Sequence, residues 1–114
     1  MIKIVNEPVT LSIEPMTRLI SVKQGTNEAT LSKNDVNVVD GLYNGTRTDA
    51  YTSTVTGLRF SRTPEGVLIT NDEQECAVLL KKRKKGAGND IFRIKNFMEA
   101  NRPNIAWDRD FRYR

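Results

Sequence analysis

The chain of 114 residues contains no histidine and a single cysteine, Cys76. Histidine is the commonest general base near neutral pH and the commonest zinc ligand, so its absence excludes Ser-His and Cys-His catalytic pairs. A lone cysteine excludes an intramolecular disulfide, which fits a reducing compartment. Cys76 follows the segment NDEQE and begins an apolar run, where we interpret it as a small buried side chain rather than a nucleophile. No Asp/Glu pair lies in a motif that would organise carboxylate chemistry. We therefore expect a protein that is not an enzyme and that uses no metal or cofactor.

Long hydrophobic runs are also missing. The apolar stretches cover a few residues each, whereas a helix that crosses a membrane needs roughly 20. The N-terminal segment MIKIVNEPVT has neither the apolar core nor the small-residue cleavage site of a secretory signal. We expect an intracellular, cytoplasmic protein that makes no membrane contact. Its 38% hydrophobic and 28% charged residues are ordinary for a globular chain, and its length suits one domain.

Positive charge is concentrated in the C-terminal third of the chain. Residues 1–79 carry 7 Lys/Arg against 10 Asp/Glu, a net charge of −3, whereas residues 80–114 carry 11 against 4, a net charge of +7. The overall charge of +4 conceals this difference. Such asymmetry is typical of a soluble protein that binds a polyanion, most often a nucleic acid.

The first third of the sequence predicts short strands followed by a helix. Polar and apolar residues alternate in PVTLSIE and recur in TRLISVKQ, and the turn GTN leads to a third short strand in EATLS. Ser32 is a suitable N-cap and Asp35 suits the positive end of a helix dipole, while Asn44 and Gly45 supply the end of the helix. Val36, Val39 and Tyr43, flanked by Leu42, would form its buried stripe.

The second half predicts the same order of elements. The segment TRTDAYTSTVTG is either a connection or an exposed edge strand around Tyr51 to Val55. LRFSRTPEGVLIT is a hairpin with the turn TPEG, and ECAVLLKKRK is a further strand. Asn89 or Asp90 caps a second helix that ends near Asn101 and Pro103, with Ile91, Ile94 and Met98 on its apolar face, beside Phe97.

These elements predict an α+β domain over residues 1–103. We expect an antiparallel sheet of about six short strands with the two helices packed on one face. The order strands, helix, strands, helix suggests a pseudo-repeat in topology, although no repeat is visible at the level of residues. Residues 104–114 form a basic-aromatic C-terminal tail.

The basic run KKRKK, residues 81–85, is the strongest functional signal. Five adjacent cations cannot be buried together, because each unpaired charge taken from water costs several kcal/mol. The glycines of the following GAG allow a close approach of backbone amides, and a helix N-terminus attracts anions. We favour phosphate contact over a solvated basic loop with a glycine hinge. The predicted contacts are Lys81, Lys82, Arg83, Lys84, Lys85, Gly86 and Gly88, with Arg59 and Arg62 extending the basic surface.

The tail NIAWDRDFRYR interleaves rings with cations. Trp107, Phe111 and Tyr113 are candidates for stacking on unpaired bases, while Arg109 and Arg112 follow the phosphates. Two alternatives are open: the rings fold back to cover the core, or the tail packs on a partner subunit.

The segment LRFSRTPEGVLITNDEQECAVLLKKRKKGAGNDIFRIKNFMEA, about two-fifths of the chain, predicts strand, turn, strand, strand and helix, with cations and glycine before the helix. This order resembles the single-stranded-DNA-binding fold of the Whirly proteins and of the related eukaryotic transcriptional coactivator. The resemblance lies in the pattern of elements, and Lys85-Gly86 is a loose match to the lysine–glycine junction. It implies a homodimer in which antiparallel sheets line a groove for unpaired strands.

Together these observations predict a non-catalytic protein that binds nucleic acid, preferably single-stranded DNA or RNA. A competing prediction is a small regulator, of viral or host origin, that docks on an acidic surface of a larger protein. In that case the cations would steer association and the tail aromatics would anchor it. A structural or virion component is a third option.

Overall fold

The computed structural model describes residues 7–54, 56–71, 77–82 and 88–106. Its elements are β1 (Thr10–Ile13), β2 (Ile20–Gln24), β3 (Asn27–Leu31), α1 (Lys33–Asn44), β4 (Tyr51–Thr52), β5 (Arg59–Arg62), β6 (Gly66–Thr70), β7 (Ala77–Lys81), α2 (Asp90–Ala100) and a 3₁₀ turn, Arg102–Asn104. The predicted α+β class and the order strands, helix, strands, helix are confirmed. Two details differ: the described chain has seven strands rather than about six, and they form two antiparallel sheets, β1-β2-β3 and β4-β5-β6-β7, rather than one.

Helix α1 begins and ends at the predicted residues. The Ser32 hydroxyl accepts a hydrogen bond from the Asp35 amide, and the Asp35 carboxylate accepts one from the Ser32 amide, both at 3.1 Å. This reciprocal capping box satisfies two amides that a helix start otherwise leaves without partners. The helix ends at Gly45, whose φ of 89° is a left-handed conformation that glycine adopts without strain. Val36 and Val39 are buried as predicted.

The predicted stripe of α1 is narrower than the observed one. Val38 and Leu42 are buried as well, whereas Tyr43 is half-buried. Tyr43 lies in the last turn, where the helix leaves the core, and its ring therefore reaches the surface at the start of α2.

A single hydrophobic core joins both sheets to both helices. In the second sheet Phe60 pairs with Ile69, which pairs with Val78, and all three side chains are buried. Helix α1 packs on β5 and β6, α2 packs on β7, and the two helices contact each other. Ile91, Ile94 and Met98 form the buried face of α2, as the sequence predicts.

Core packing continues beyond residue 103. Ile105 and Ala106 are buried, and the amide of Ala106 donates to the carbonyl oxygen of Arg18 at 2.9 Å. The described chain therefore ends against the loop between β1 and β2.

Polar side chains complete the outer edge of β7. Gln24, at the end of β2, donates from Nε2 to the carbonyl oxygen of Leu79 at 2.8 Å and accepts from the Leu79 amide at 2.9 Å. Asn27 donates to the carbonyl oxygen of Ala77 at 2.8 Å. The amide of Lys81 donates to the carboxylate of Asp90 at 3.1 Å.

These contacts explain why two sheets form. Strands β3 and β7 are in contact, but β7 is bonded on this side by side chains from the end of β2, the start of β3 and the start of α2 rather than by a paired strand. Because buried backbone groups require partners, the side chains do for β7 what another strand would do. The alternation of polar and apolar residues did not indicate that side chains would take the place of a neighbouring strand at this edge.

We predict that Gln24→Ala strongly destabilises the fold. The change removes both hydrogen bonds that Gln24 makes with the buried N–H and C=O of Leu79, which should lower the free energy of unfolding by about 3 kcal/mol. Urea denaturation measures the loss. Asn96→Ala, which removes an exposed amide from α2, is the control and should change stability by no more than about 0.5 kcal/mol. Equal effects of the two substitutions would contradict this account of the β7 edge.

Burial also perturbs the carboxyl group of Asp35. Removal from water raises its pKa, and hydrogen bonds from the Ser32 amide and from the hydroxyls of Ser53 and Thr56 partly oppose that rise. The folded protein thus holds the Asp35 proton more tightly than the unfolded chain does. Asp35 stabilises the fold fully below its ordinary pKa of 3.8, and this contribution is lost as the pH rises through the raised value.

We predict that Asp35→Asn removes this pH dependence. Asparagine keeps an acceptor for the Ser32 amide but cannot ionise. The stability of the variant relative to the natural protein should therefore increase with pH above 3.8, by at most about 1.4 kcal/mol per pH unit. Urea titrations between about pH 3 and about pH 7 provide the measurement. A difference that stays constant over that range would show that Asp35 ionises normally in the folded state.

Candidate nucleic-acid interface

The described ends of the basic run lie where β7 ends and α2 begins. Lys81 is the last residue of β7, and Lys82 forms an isolated antiparallel bridge with Asn89, the N-cap of α2. Lys82 and Asn89 therefore lie next to each other. Arg83, Lys84, Lys85 and Gly86 lie outside the described ranges. We call the surface formed by Lys82, Gly88, Asn89, Phe92, Arg93 and Lys95 the basic junction.

Lys81 and Lys82 differ in their surroundings. The Nζ of Lys81 lies 3.2 Å from a carboxylate oxygen of Glu65, and the Lys81 side chain is only 20% exposed. Lys82 is exposed. The body of the protein therefore partly neutralises the first cation of the run, and Lys82 is the better placed of the two to meet an anion.

The N-terminus of α2 is already supplied with acceptors. The Oδ1 of Asn89 accepts from the amides of Ile91 and Phe92 at 2.9 and 3.4 Å, and the Asn89 carbonyl oxygen accepts from the Arg93 amide at 2.9 Å. Asp90 adds a buried carboxyl group in the first turn. The expectation that free amides of this helix help to hold an anion is therefore wrong for these three amides. Anion contacts at the junction have to come from side chains and from the chain before Asn89.

Gly88 lies directly before that cap. Its φ of 83° is in the left-handed region, and the residue is exposed. A side chain here would strain the backbone. The conformation is equally suited to an anion-contacting turn and to a glycine hinge, so both interpretations of GAG stay open.

An aromatic pair borders the basic junction. The ring of Phe92 packs edge-to-face on Tyr43, with centroids 6.3 Å apart and an interplanar angle of 78°. The hydroxyl of Tyr43 accepts from the Nδ2 of Asn89 at 2.9 Å, which fixes the tyrosine against the cap. Lys95 lies between Asp40, at 3.3 Å, and the Phe92 ring, whose centroid is 5.9 Å from its Nζ.

Reasoning from the sequence did not single out Phe92. A signal was present, because Phe92 follows Ile91 directly and falls outside the buried stripe of Ile91, Ile94 and Met98. An aromatic residue on the polar side of an amphipathic helix, next to a basic run, is a candidate for ligand contact.

Arg59 and Arg62 do not share one side of the sheet. They are three residues apart on β5, and side chains three apart on a strand point to opposite faces. Arg62 pairs with Val67, which pairs with Leu80, whereas Arg59 pairs with Thr70 at the far end of the sheet. The structure thus places Arg62, but not Arg59, at the end of the sheet where the basic run begins.

The aromatic residues of the tail lie outside the described ranges. This applies to the predicted stacking residues Trp107, Phe111 and Tyr113 and to Arg109 and Arg112. The described chain ends at Ala106, beside Arg18. Stacking by the tail stays a prediction.

A polar groove of about 440 Å³ follows the end of α1. Arg47 brings it a positive charge and Asp49 a negative one, and the guanidinium carbon of Arg47 lies 5.2 Å from the centre of the Tyr51 ring. The mixed charge gives the groove no preference for an anion. Its lining residues are Asn37, Gly41, Thr46, Arg47, Thr48 and Asp49.

Two further findings concern the described part of the chain. There, no group of three or more His, Cys, Asp or Glu residues is arranged to hold a metal ion. No helix in the same residues is long and apolar enough to span a bilayer.

Comparison with protein-family models, with curated proteins and with solved structures gave no match to this chain. The resemblance to Whirly-type single-stranded-DNA-binding proteins, and the homodimer that it implies, therefore remain predictions.

We predict that Asn89→Ala loosens the basic junction. The change removes the N-cap of α2 and the donor to Tyr43, and it should lower the free energy of unfolding by about 1 to 2 kcal/mol. Asn89→Asp is the matched control. It keeps an acceptor at the positive end of the helix dipole and loses only the donor to Tyr43, so it should cost less than about 1 kcal/mol. Chemical denaturation of the two variants tests this, and equal losses would mean that capping by Asn89 contributes little.

Proposed function

We propose that this protein is a non-catalytic nucleic-acid-binding protein that prefers single-stranded DNA or RNA and binds it at the basic junction. The observation that carries the proposal is the bridge between Lys82 and Asn89. It ties both ends of the most cationic segment to the surface that also presents Arg93, Lys95 and the exposed ring of Phe92. Cations beside an accessible ring are the usual combination for binding unpaired strands.

The distribution of charge supports an extended anion as the ligand. The acidic body supplies Glu65 to Lys81 and Asp40 to Lys95, so the body balances cations at the two sides of the junction. The run from Lys82 to Lys85 adds four more cations in sequence. A single phosphate does not need so many cations. A polynucleotide offers one phosphate per nucleotide and can therefore contact several of them at once.

We predict that Lys82→Ala combined with Lys84→Ala weakens binding to single-stranded oligonucleotides of any sequence. Each lost phosphate contact should reduce the slope of log K against log salt by about 0.7, because fewer counterions are released on binding. Fluorescence anisotropy over a series of salt concentrations measures this slope.

Lys23→Ala combined with Arg102→Ala is the matched control for that experiment. It also removes two cations, but from exposed ion pairs with Glu28 on β3 and with Glu99 in the last turn of α2, and none of these four residues belongs to the basic junction. If both double variants change the slope equally, only net charge matters and the basic junction is not the binding site.

A second candidate function is that of a small regulator, of viral or host origin, which docks on an acidic surface of a larger protein. The loop between β1 and β2 favours it, because Met16 is 91% exposed there. The Glu14 carboxylate holds the loop in shape by accepting from the Thr17 hydroxyl and amide, both at 2.7 Å, and from the Met16 amide at 3.1 Å. These bonds also lower the pKa of Glu14, so the carboxylate that caps the loop stays ionised at a more acidic pH than an ordinary glutamate does.

Titration with single-stranded DNA, duplex DNA and RNA oligomers separates the two functions. Binding to single strands at low salt supports the first, and no binding to any of the three favours the regulator. Native mass measurement of the same samples reports stoichiometry, and with it whether the protein is a homodimer or assembles into large particles.

A further inference from the structure

Phe92 is exposed although it is one of the largest apolar side chains in the protein. It exposes 53% of its surface, and among the described aromatic residues it is the most accessible one. Burying a phenylalanine stabilises a fold by about 1.5 to 3 kcal/mol. Because Phe92 is half exposed at the start of α2, the fold gains only part of this stabilisation from it.

The ring is held in a defined position. Tyr43 meets it edge-to-face, and Asn89 fixes Tyr43 through its hydroxyl. Asn89 also caps α2 and forms the bridge with Lys82. One residue therefore positions both the aromatic pair and the described start of the basic run. A ring oriented in this way loses little freedom when a flat ligand packs on it.

One cation lies close to the ring, and two more belong to the same junction. The Nζ of Lys95, which also pairs with Asp40, is 5.9 Å from the ring centroid. Arg93 is the next residue along α2, and Lys82 forms the bridge with Asn89. An apolar protein partner would not require these cations. A nucleic-acid strand would use both the exposed ring and the cations, because it carries planar bases on an anionic backbone.

We propose that Phe92 stacks on an unpaired nucleobase of the strand whose phosphates contact the basic junction. The inference rests on the proposed function and deepens it, because it assigns the preference for single strands to one side chain. Bases in a duplex are already stacked on each other, and only a splayed base offers its face to a protein ring.

The test compares Phe92→Leu with the natural protein on three probes of equal length: a single-stranded DNA oligomer, its duplex, and a sugar-phosphate oligomer without bases. Leucine keeps an apolar side chain at an exposed position and should leave folding intact, which circular dichroism verifies. We expect affinity for the single strand to fall about 5- to 150-fold, the range of one lost base stack. Affinity for the duplex and the base-free oligomer should change by less than about twofold.

Two further variants complete the design. Phe92→Trp, which retains a stacking face, should restore single-strand affinity. Met16→Ala removes the other large apolar side chain that is exposed in the described part of the chain and should leave all three affinities unchanged.

The outcomes distinguish the two proposals. Unchanged single-strand affinity in Phe92→Leu, or an equal loss on all three probes, overturns the stacking role and leaves the proposed function standing. If the natural protein binds none of the probes at low salt, the proposed function fails and the stacking role fails with it.

Discussion

The outer edge of β7 is the constraint on which the rest of the structure depends. This strand is the last of its sheet and its first four residues are buried, yet it has a strand partner on one side only within the described residues. Gln24, Asn27 and Asp90 supply the missing partners on the other side. Each of them comes from a different place at an element boundary: the end of β2, the start of β3 and the start of α2. One strand thereby sets the position of the first sheet and of the second helix.

The same constraint determines where the basic run begins. Because Asp90 bonds the Lys81 amide, α2 has to begin beside the last residue of β7. Lys82 and Asn89 then meet in an antiparallel bridge. The hydrogen bonds that complete the edge of β7 thus also bring the first residues of the basic run and the start of α2 to one place.

Local signals in the sequence predicted local structure well. Ser32 is the expected N-cap of α1, and the helix ends at Gly45 as expected, because both features depend on neighbours within a few residues. The division into two sheets could not be predicted in this way. It depends on Gln24 meeting Leu79, 55 residues later, and no periodicity indicates which side chain will satisfy a distant strand edge.

In the candidate site, two features could have been predicted from the sequence and one contact could not. The spacing of Arg59 and Arg62 already indicates opposite faces of a strand, and the position of Phe92 outside the apolar stripe already indicates exposure. What the sequence could not supply is the contact between Tyr43 and Phe92, which requires the end of α1 to lie beside the start of α2. That proximity is a product of core packing, to which every element contributes.

We propose that an unpaired nucleic-acid strand binds at the basic junction. Titration of ¹⁵N-labelled protein with a single-stranded oligonucleotide, followed by amide chemical shifts, tests this residue by residue. We expect saturating shifts at Lys82, Gly88 and Phe92, with Met16 and Thr17 in the loop between β1 and β2 unaffected. Shifts confined to that loop, or no shifts at all at low salt, would contradict it.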